Sequence, residues 1–277
     1  MDWLAGKSLE ALLQDTQAQI KKEPALAKHR IFLFQLLAVM GQWERALTQL
    51  NLVGEMDASA LPMVHTYRQA LNVEVLRKAV FEGDRTPLVF GKPERWIALC
   101  LEALRLDARS KHAEAKELRS EAFEMAPATS GRLGEPQDRK FDWIADADER
   151  LGPMLEAIID GKYYWVPFAR VESLTIEPPN DLRDLVWMPA HFRWTNGGES
   201  VSLIPTRYPG SENSSDDRIC IAARTEWIAL GDEGYQGLGQ RLLATESAEY
   251  ALMDLRQLTF DQQPSETSAG QNLLEVT

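Results

Sequence analysis

The chain changes its hydrophobic period part-way along. From Ser8 to about Pro127 apolar residues recur at spacings of three and four, as in Leu9, Leu12, Leu13 and Ile20, and strand signals are nearly absent. After Gly161 the character shifts to short aromatic and β-branched runs separated by Pro, Gly and Asn. The two periods require a helical part and a mainly β part. With 277 residues and 44% hydrophobic content, the chain can bury a sizeable core without metal or disulfide staples, and its length favours two domains. The expected division is a helical domain over residues 1–130 and a smaller acidic α+β domain over residues 131–277.

Within the first part, Ala27 to Asp57 reads as two antiparallel helices: Phe34, Leu37 and Val39 precede a turn at Gly41, and Trp43, Ala46, Leu47, Leu50 and Val53 follow it. Gly41-Gln-Trp43-Glu-Arg-Ala46 has the small–x–aromatic–x–x–small pattern of a tetratricopeptide-type (TPR) repeat. Gly permits the tight turn, the aromatic fills the gap between helices, and Ala lets the backbones approach. Pro24 fits the same register, and a degenerate second copy runs from Trp96 to Pro127 through Ala115 and Ala122. Between them His65 to Phe81 reads as a helix stopping at Gly83, and Thr86-Pro87 and Lys92-Pro93 bracket a short connection. A TPR-like array stacks such pairs into a curved solid whose concave face takes a peptide or helix.

Residues 128–140, rich in Gly, Pro and charge, read as a linker. Trp143 to Asp160 then reads as one leading helix carrying Ile144, Leu151, Leu155, Ile158 and Ile159, with Gly152-Pro153 as a kink. Strands are expected over Tyr163 to Phe168, Asp184 to Trp194, Ile219 to Leu230, Gly239 to Thr245 and Leu252 to Phe260. The clearest hairpin joins Phe192–Thr195 to Glu199–Ile204 through Asn196-Gly197-Gly198. These elements imply a mainly antiparallel sheet, SH3-like or a partly open barrel, with a mobile tail from about residue 262.

The formal net charge is -12, and its distribution is uneven. Residues 1–130 hold 17 Lys+Arg and 17 Asp+Glu, whereas residues 131–277 hold 13 and 25. An acidic surface repels phosphate backbones and anionic lipid, which disfavours nucleic acid and membrane as partners. The start shows no export or transit signal, and the apolar stretch Ile31 to Met40, interrupted by Gln35, is a buried helix rather than a membrane span. Cys100 and Cys220 lie far apart without C-x-x-C spacing, as suits two buried thiols in a reducing, cytoplasmic setting.

Four constellations could carry chemistry. Asp142 and Asp146, four apart, would share a helix face, with Asp148 nearby, as a metal or acid/base group; helix-end capping and pairing with Arg150 is the simpler reading. His29, His65, His112 and His191 show no ligand spacing. Gly237-Leu-Gly239-Gln240-Arg241 resembles part of a phosphate loop but lacks its remaining glycines and its Lys, so a tight turn into a strand explains it better. Asp181-Leu-Arg183-Asp184-Leu-Val-Trp187-Met-Pro189 and Thr206-Arg207-Tyr208-Pro209-Gly210-Ser211 mix arginines, acids and aromatics, as a binding surface or an internal Arg–Asp network does.

Taken in order, these stretches resemble the ImpE family, also called TagJ, of accessory proteins of bacterial type VI secretion. The likeness covers about residues 4–258. It runs from Arg30-Ile-Phe-Leu-Phe-Gln-Leu-Leu and Gly41-Gln-Trp43 through Thr86-Pro87-Leu-Val-Phe90-Gly91 to Trp143-Ile-Ala-Asp146-Ala-Asp148-x-Arg150, Gly161-Lys-Tyr-Tyr-Trp165, Leu182-Arg183-Asp184-Leu-Val-Trp187, Pro205-Thr-Arg207-Tyr208 and Gly237-Leu-Gly-Gln240-Arg241. The resemblance implies a cytoplasmic protein without catalytic residues or cofactor that associates with the contractile sheath. It also implies the contact: the N-terminal helix of the small, TssB-like sheath subunit, with an effect on sheath assembly or disassembly. Arg183, Asp184, Trp187, Arg207, Tyr208, Asp146, Asp148, Arg150, Gln240 and Arg241 are the expected partner-binding or structural residues. A metal-dependent or carboxylate-based hydrolase using Asp142, Asp146 and Asp148 is the alternative.

Overall fold

The structure, a computed structural model, describes residues 3–4, 6–231 and 234–261. The tail expected to be mobile from about residue 262 lies outside the described residues. The helices α1 (Leu9–Lys22), α2 (Ala27–Val39), α3 (Trp43–Met56) and α4 (Leu61–Phe81) come first; a two-residue strand β1 (Leu88–Val89) precedes α5 (Arg95–Ala108) and α6 (His112–Met125). Successive helices pack as neighbours, α2 lying against both α1 and α3, and α5 against α6. Every residue of α2 from Leu33 to Val39 is buried. A helix that is apolar all round must be covered all round; α1 and α3 cover part of α2, and the 3-10 turn Leu182–Leu185 of the β part packs against it as well. The turn at Gly41 has φ +66°, a conformation that disfavours a side chain.

The β part contains β2 (Gly131–Leu133), β3 (Arg139–Phe141), β4 (Ile144–Asp146), β5 (Met154–Ile159), β6 (Lys162–Pro167), β7 (Val171–Ile176), β8 (Trp187–Trp194) and β9 (Glu199–Pro205). A short helix α7 (Asp217–Cys220) leads to β10 (Thr225–Ala229), β11 (Tyr235–Gly239), β12 (Leu242–Thr245), β13 (Glu249–Ala251) and β14 (Gln257–Phe260). Nine strands form one sheet in the order β1-β6-β5-β9-β8-β7-β14-β2-β3, in which β1–β6 is parallel and the other pairs antiparallel. A three-stranded sheet β13-β12-β4 and the ribbon β10-β11 complete it. The β8–β9 hairpin turns at Asn196-Gly197-Gly198 as expected, with Gly197 at φ +82° and Asn196 Oδ1 accepting from Gly198 N at 3.0 Å.

Several expectations are corrected. Residues 143–160 form no helix: they are β4, a turn through Gly152 at φ +58°, and β5. All six residues of β5 are buried, because both faces of the central sheet are covered; a strand so placed reads as a continuous apolar run without the two-residue alternation of a half-exposed one. Residues 128–140 are no linker, since β2 and β3 close one edge of the large sheet. Gly131 is needed there, as a Cβ would lie 2.2 Å from Thr259 O. The stretch from Ile219 becomes strand only at Thr225, and that from Leu252 only at Gln257. The β part, finally, is no smaller than the helical one.

Two apolar cores flank the nine-stranded sheet. One joins Leu36, Leu50, Val64 and Leu71 of the helices to Met154, Ile158, Trp165 and Trp187 of the sheet. The other gathers Leu155, Ala157 and Val166 with Phe192, Leu243 and Leu258 on the far side. The core nearest the helices is therefore shared by both parts of the chain.

Candidate functional site

The segment Ile144 to Arg150 alternates strictly: Ile144, Asp146, Asp148 and Arg150 are buried, while Ala145 and Ala147 are half-buried and Glu149 is exposed. Strand geometry sends Ile144 and Asp146 of β4 to one face, and Asp148, in the turn that follows, is buried beside them with its backbone N–H donating to Asp146 at 2.9 Å. There they meet charges from distant elements. Arg241, which follows β11, bonds Asp146 through Nη1 and Glu156 of β5 through Nη2, and its Nε donates to Pro205 O at 3.1 Å. Arg77 of α4 donates from Nε and Nη2 to the two Glu156 oxygens at 2.6 and 2.9 Å, and Nη2 also reaches Arg207 O at 2.7 Å. Trp187 Nε1 donates to Glu74 of α4 at 2.7 Å. Asp148 accepts from Arg150 Nη2 at 2.6 Å and from Gly237 N at 2.9 Å, and Tyr208 OH donates to Asp146 at 3.1 Å.

Four carboxylates, Glu74, Asp146, Asp148 and Glu156, thus share the junction with four guanidiniums, Arg77, Arg150, Arg207 and Arg241, all buried. Burial penalises ions unless they are paired. It acts to raise the Glu156 carboxyl, but Arg77 and Arg241 outweigh it and hold the group at about 2. Burial pushes the Asp146 carboxyl up to about 6 against the pull of Arg241, and raises that of Glu74. Among the described residues Arg207 has no carboxylate in hydrogen-bond contact: it donates to Val39 O at 2.7 Å, to Ala38 O at 3.1 Å and to Cys220 O. A cation is thereby set at the C-terminal, negative end of α2.

Seven of the expected residues are therefore brought together: Asp146, Asp148, Arg150, Trp187, Arg207, Tyr208 and Arg241. Gln240 borders them, bridging to Arg207 through the backbone and accepting from Met253 N at 3.3 Å. Arg183 and Asp184 lie apart. Arg183 pairs with Asp181 and sits 4.9 Å from the Tyr67 ring centre, and Asp184 accepts from Asn180 N and Asp181 N at 2.8 and 2.9 Å. Glu74, Arg77, Glu156 and Tyr163 were not anticipated. Glu156 did carry a signal, as the one charge in an apolar run of six.

The Asp142/Asp146/Asp148 group does not converge, since Asp142 is exposed while the other two are bound to arginine. Gly237 and Gly239 serve packing: a Cβ on Gly237 would lie 2.3 Å from the Tyr208 ring, and one on Gly239 1.9 Å from Arg224 O. The histidines are dispersed, His29 bonding Glu23, His65 Gln69, His112 Asp107 and His191 Glu199. Among the described residues no group of three or more His, Cys, Asp or Glu is placed to hold a metal ion, and no helix is long and apolar enough to cross a membrane. A cleft of about 220 Å³ opens onto the junction between Trp43, Phe81 and Pro209, lined also by Glu74, Arg77 and Arg150. A larger groove of about 430 Å³ lies between α6 and the three-stranded sheet.

Comparison with known proteins gives concordant findings. The family described as "ImpE protein" matches residues 138–259. The type VI secretion system accessory component TagJ of Pseudomonas aeruginosa is 50% identical over 257 residues, spanning 93% of this chain and 89% of that protein. A crystal structure of a Vibrio parahaemolyticus protein superposes with a TM-score of 0.82 at 25% identity, covering 92% of this chain and 94% of the other.

Proposed function

We propose, from the premise that the chain belongs to the ImpE (TagJ) family of type VI secretion accessory proteins, that it is a non-enzymatic adaptor acting on the contractile sheath in the cytoplasm. Its partner is the small, TssB-like sheath subunit, held through that subunit's N-terminal helix, and the outcome is a change in sheath assembly or disassembly. In this reading residues 1–130 are a TPR-like unit and residues 131–277 the acidic α+β unit joined to it.

The observation that carries the reading is where the charged motifs spend their bonding capacity. Asp146, Asp148, Arg150, Arg207 and Arg241 are buried and bonded within the fold, which leaves the surface as the working part of the molecule. A hydrolase needs free, converging acids, and Asp146 and Asp148 are already bound to Arg241 and Arg150. The test is retention of the purified small sheath subunit on the immobilised full chain. Retention that disappears when the subunit's N-terminal helix is deleted supports the adaptor; no retention at high micromolar concentration rejects it.

A further inference from the structure

The molecule is electrically polarised. Its acid excess lies in residues 131–277, with 25 acids against 13 basic residues, while residues 1–130 are balanced at 17 and 17. Each part carries a local surface that matches one on the other. A shallow opening of about 330 Å³ between α1, α2 and α3 is floored by Ile20, Leu33 and Leu37 and rimmed by Lys21, Arg30 and Arg45, with no acid in its lining. Among the described residues none of these three cations meets a carboxylate: Arg30 Nη1 donates to Gln49 Oε1 at 3.0 Å and Arg45 Nη1 to Gln42 Oε1. Arg30 Nε is buried without a hydrogen-bond partner there. On the β part, Trp227 and Tyr235 of the β10–β11 ribbon bound a depression of about 340 Å³ with Glu149 and Glu249. Trp227 is 38% and Tyr235 61% exposed. The junction carboxylates are bonded to arginine, whereas Glu149 and Glu249 have no hydrogen-bond or ion-pair partner among the described residues. They form an open acidic ridge beside two aromatic rings.

Cations around an uncovered apolar floor and carboxylates beside exposed aromatic rings are complementary surfaces, and these two share no lining residue. We infer that they meet between two copies of the chain. The Glu149/Glu249 ridge of one copy pairs with Lys21, Arg30 and Arg45 of the next, Tyr235 covers the apolar floor, and Trp227 packs on a guanidinium face. Charge decides the arrangement. A symmetric contact through either surface sets ridge against ridge or opening against opening, and like charges oppose both. The head-to-tail contact brings opposite charges together and leaves one opening and one ridge free for further copies. The net charge of -12 works against any association, so the contact is weak, with a dissociation constant on the order of tens of micromolar. The inference does not depend on the sheath reading.

Sedimentation velocity of the full chain from about 1 to 500 µM tests the contact. The weight-average sedimentation coefficient of the wild type rises with concentration. The double reversals Lys21→Glu/Arg45→Glu and Glu149→Lys/Glu249→Lys change only exposed side chains, and each alone weakens association by about tenfold or more. Mixed in equal amounts the two variants associate again, because the intact ridge of the first meets the intact opening of the second. A wild type that stays monomeric throughout overturns the inference. So does wild-type association in either double variant alone, or a mixture that associates no better than its components.

Discussion

Glu156 stands at the centre of the junction, with Arg77 on one side, Arg241 on the other and the Tyr163 hydroxyl as a third donor. Glu156→Gln removes the negative charge that Arg77 and Arg241 share, leaving Arg77 with Glu74 and Arg241 with Asp146, and urea unfolding at neutral pH should show a loss of about 3 kcal/mol. The same residue sets an acid limb. Its carboxyl is held at about 2, well below the ordinary 4.5, so its contribution is complete above about pH 4.5 and disappears as pH falls through 2, about 3 kcal/mol in all. Asp146 works in the opposite sense: raised from 3.8 to about 6, it contributes below 3.8 and loses that contribution as pH rises through 6. A stability–pH profile of Glu156→Gln should flatten below pH 4.5 and keep its slope near 6. Arg207→Met removes the donor to the carbonyls of Val39 and Cys220, Ala38 O keeping its bond from Gly41 N, and should cost about 3 kcal/mol in the same assay. Asp146, Arg207 and Arg241 were legible as motifs, whereas Glu156 and Arg77 were not. Which of them face one another was not, because arginine and acid partners lie up to 95 residues apart in sequence, as with Arg241 and Asp146.

Among the elements, α2 and α3 were the easiest to read, since the 3.6-residue period, Gly41 and Trp43 agree. Gly41 is required by its turn, and the fold adds a second reason, because a Cβ there would lie 2.4 Å from Glu212 Cγ of the β part. Gly41→Ala should therefore destabilise by about 1–2 kcal/mol from the backbone alone, with more from displaced Glu212, as a chemical-denaturation curve can show. The segment 143–160 was misread because two signals coincide. Aspartates four apart imitate a helix face, and a strand covered on both sides loses its two-residue alternation. Gly152-Pro153 was the correct clue, and it marks the break between β4 and β5. Residues 128–140 misled for a related reason: short edge strands such as β2 and β3, rich in Gly and charge, look like a connection.

At the scale of the whole molecule, the change of period predicted two structural classes but said nothing of how tightly they join. The shared core and the Arg77–Glu156, Trp187–Glu74 and Arg207–α2 bonds tie helices to sheet. Unfolding followed by far-ultraviolet circular dichroism and by tryptophan fluorescence should consequently give coincident transitions; separated midpoints would mean that the two parts melt independently. The excess of acid in the second part was visible in the sequence, whereas its separation into matched interior charges and the open Glu149/Glu249 ridge needed the fold. The adaptor reading depends on that separation, and a calorimetric titration of the full chain with the intact small sheath subunit tests it most directly. Saturable heat that vanishes for a subunit lacking its N-terminal helix is the expected result; equal heat from both forms, or none from either, would overturn the adaptor reading.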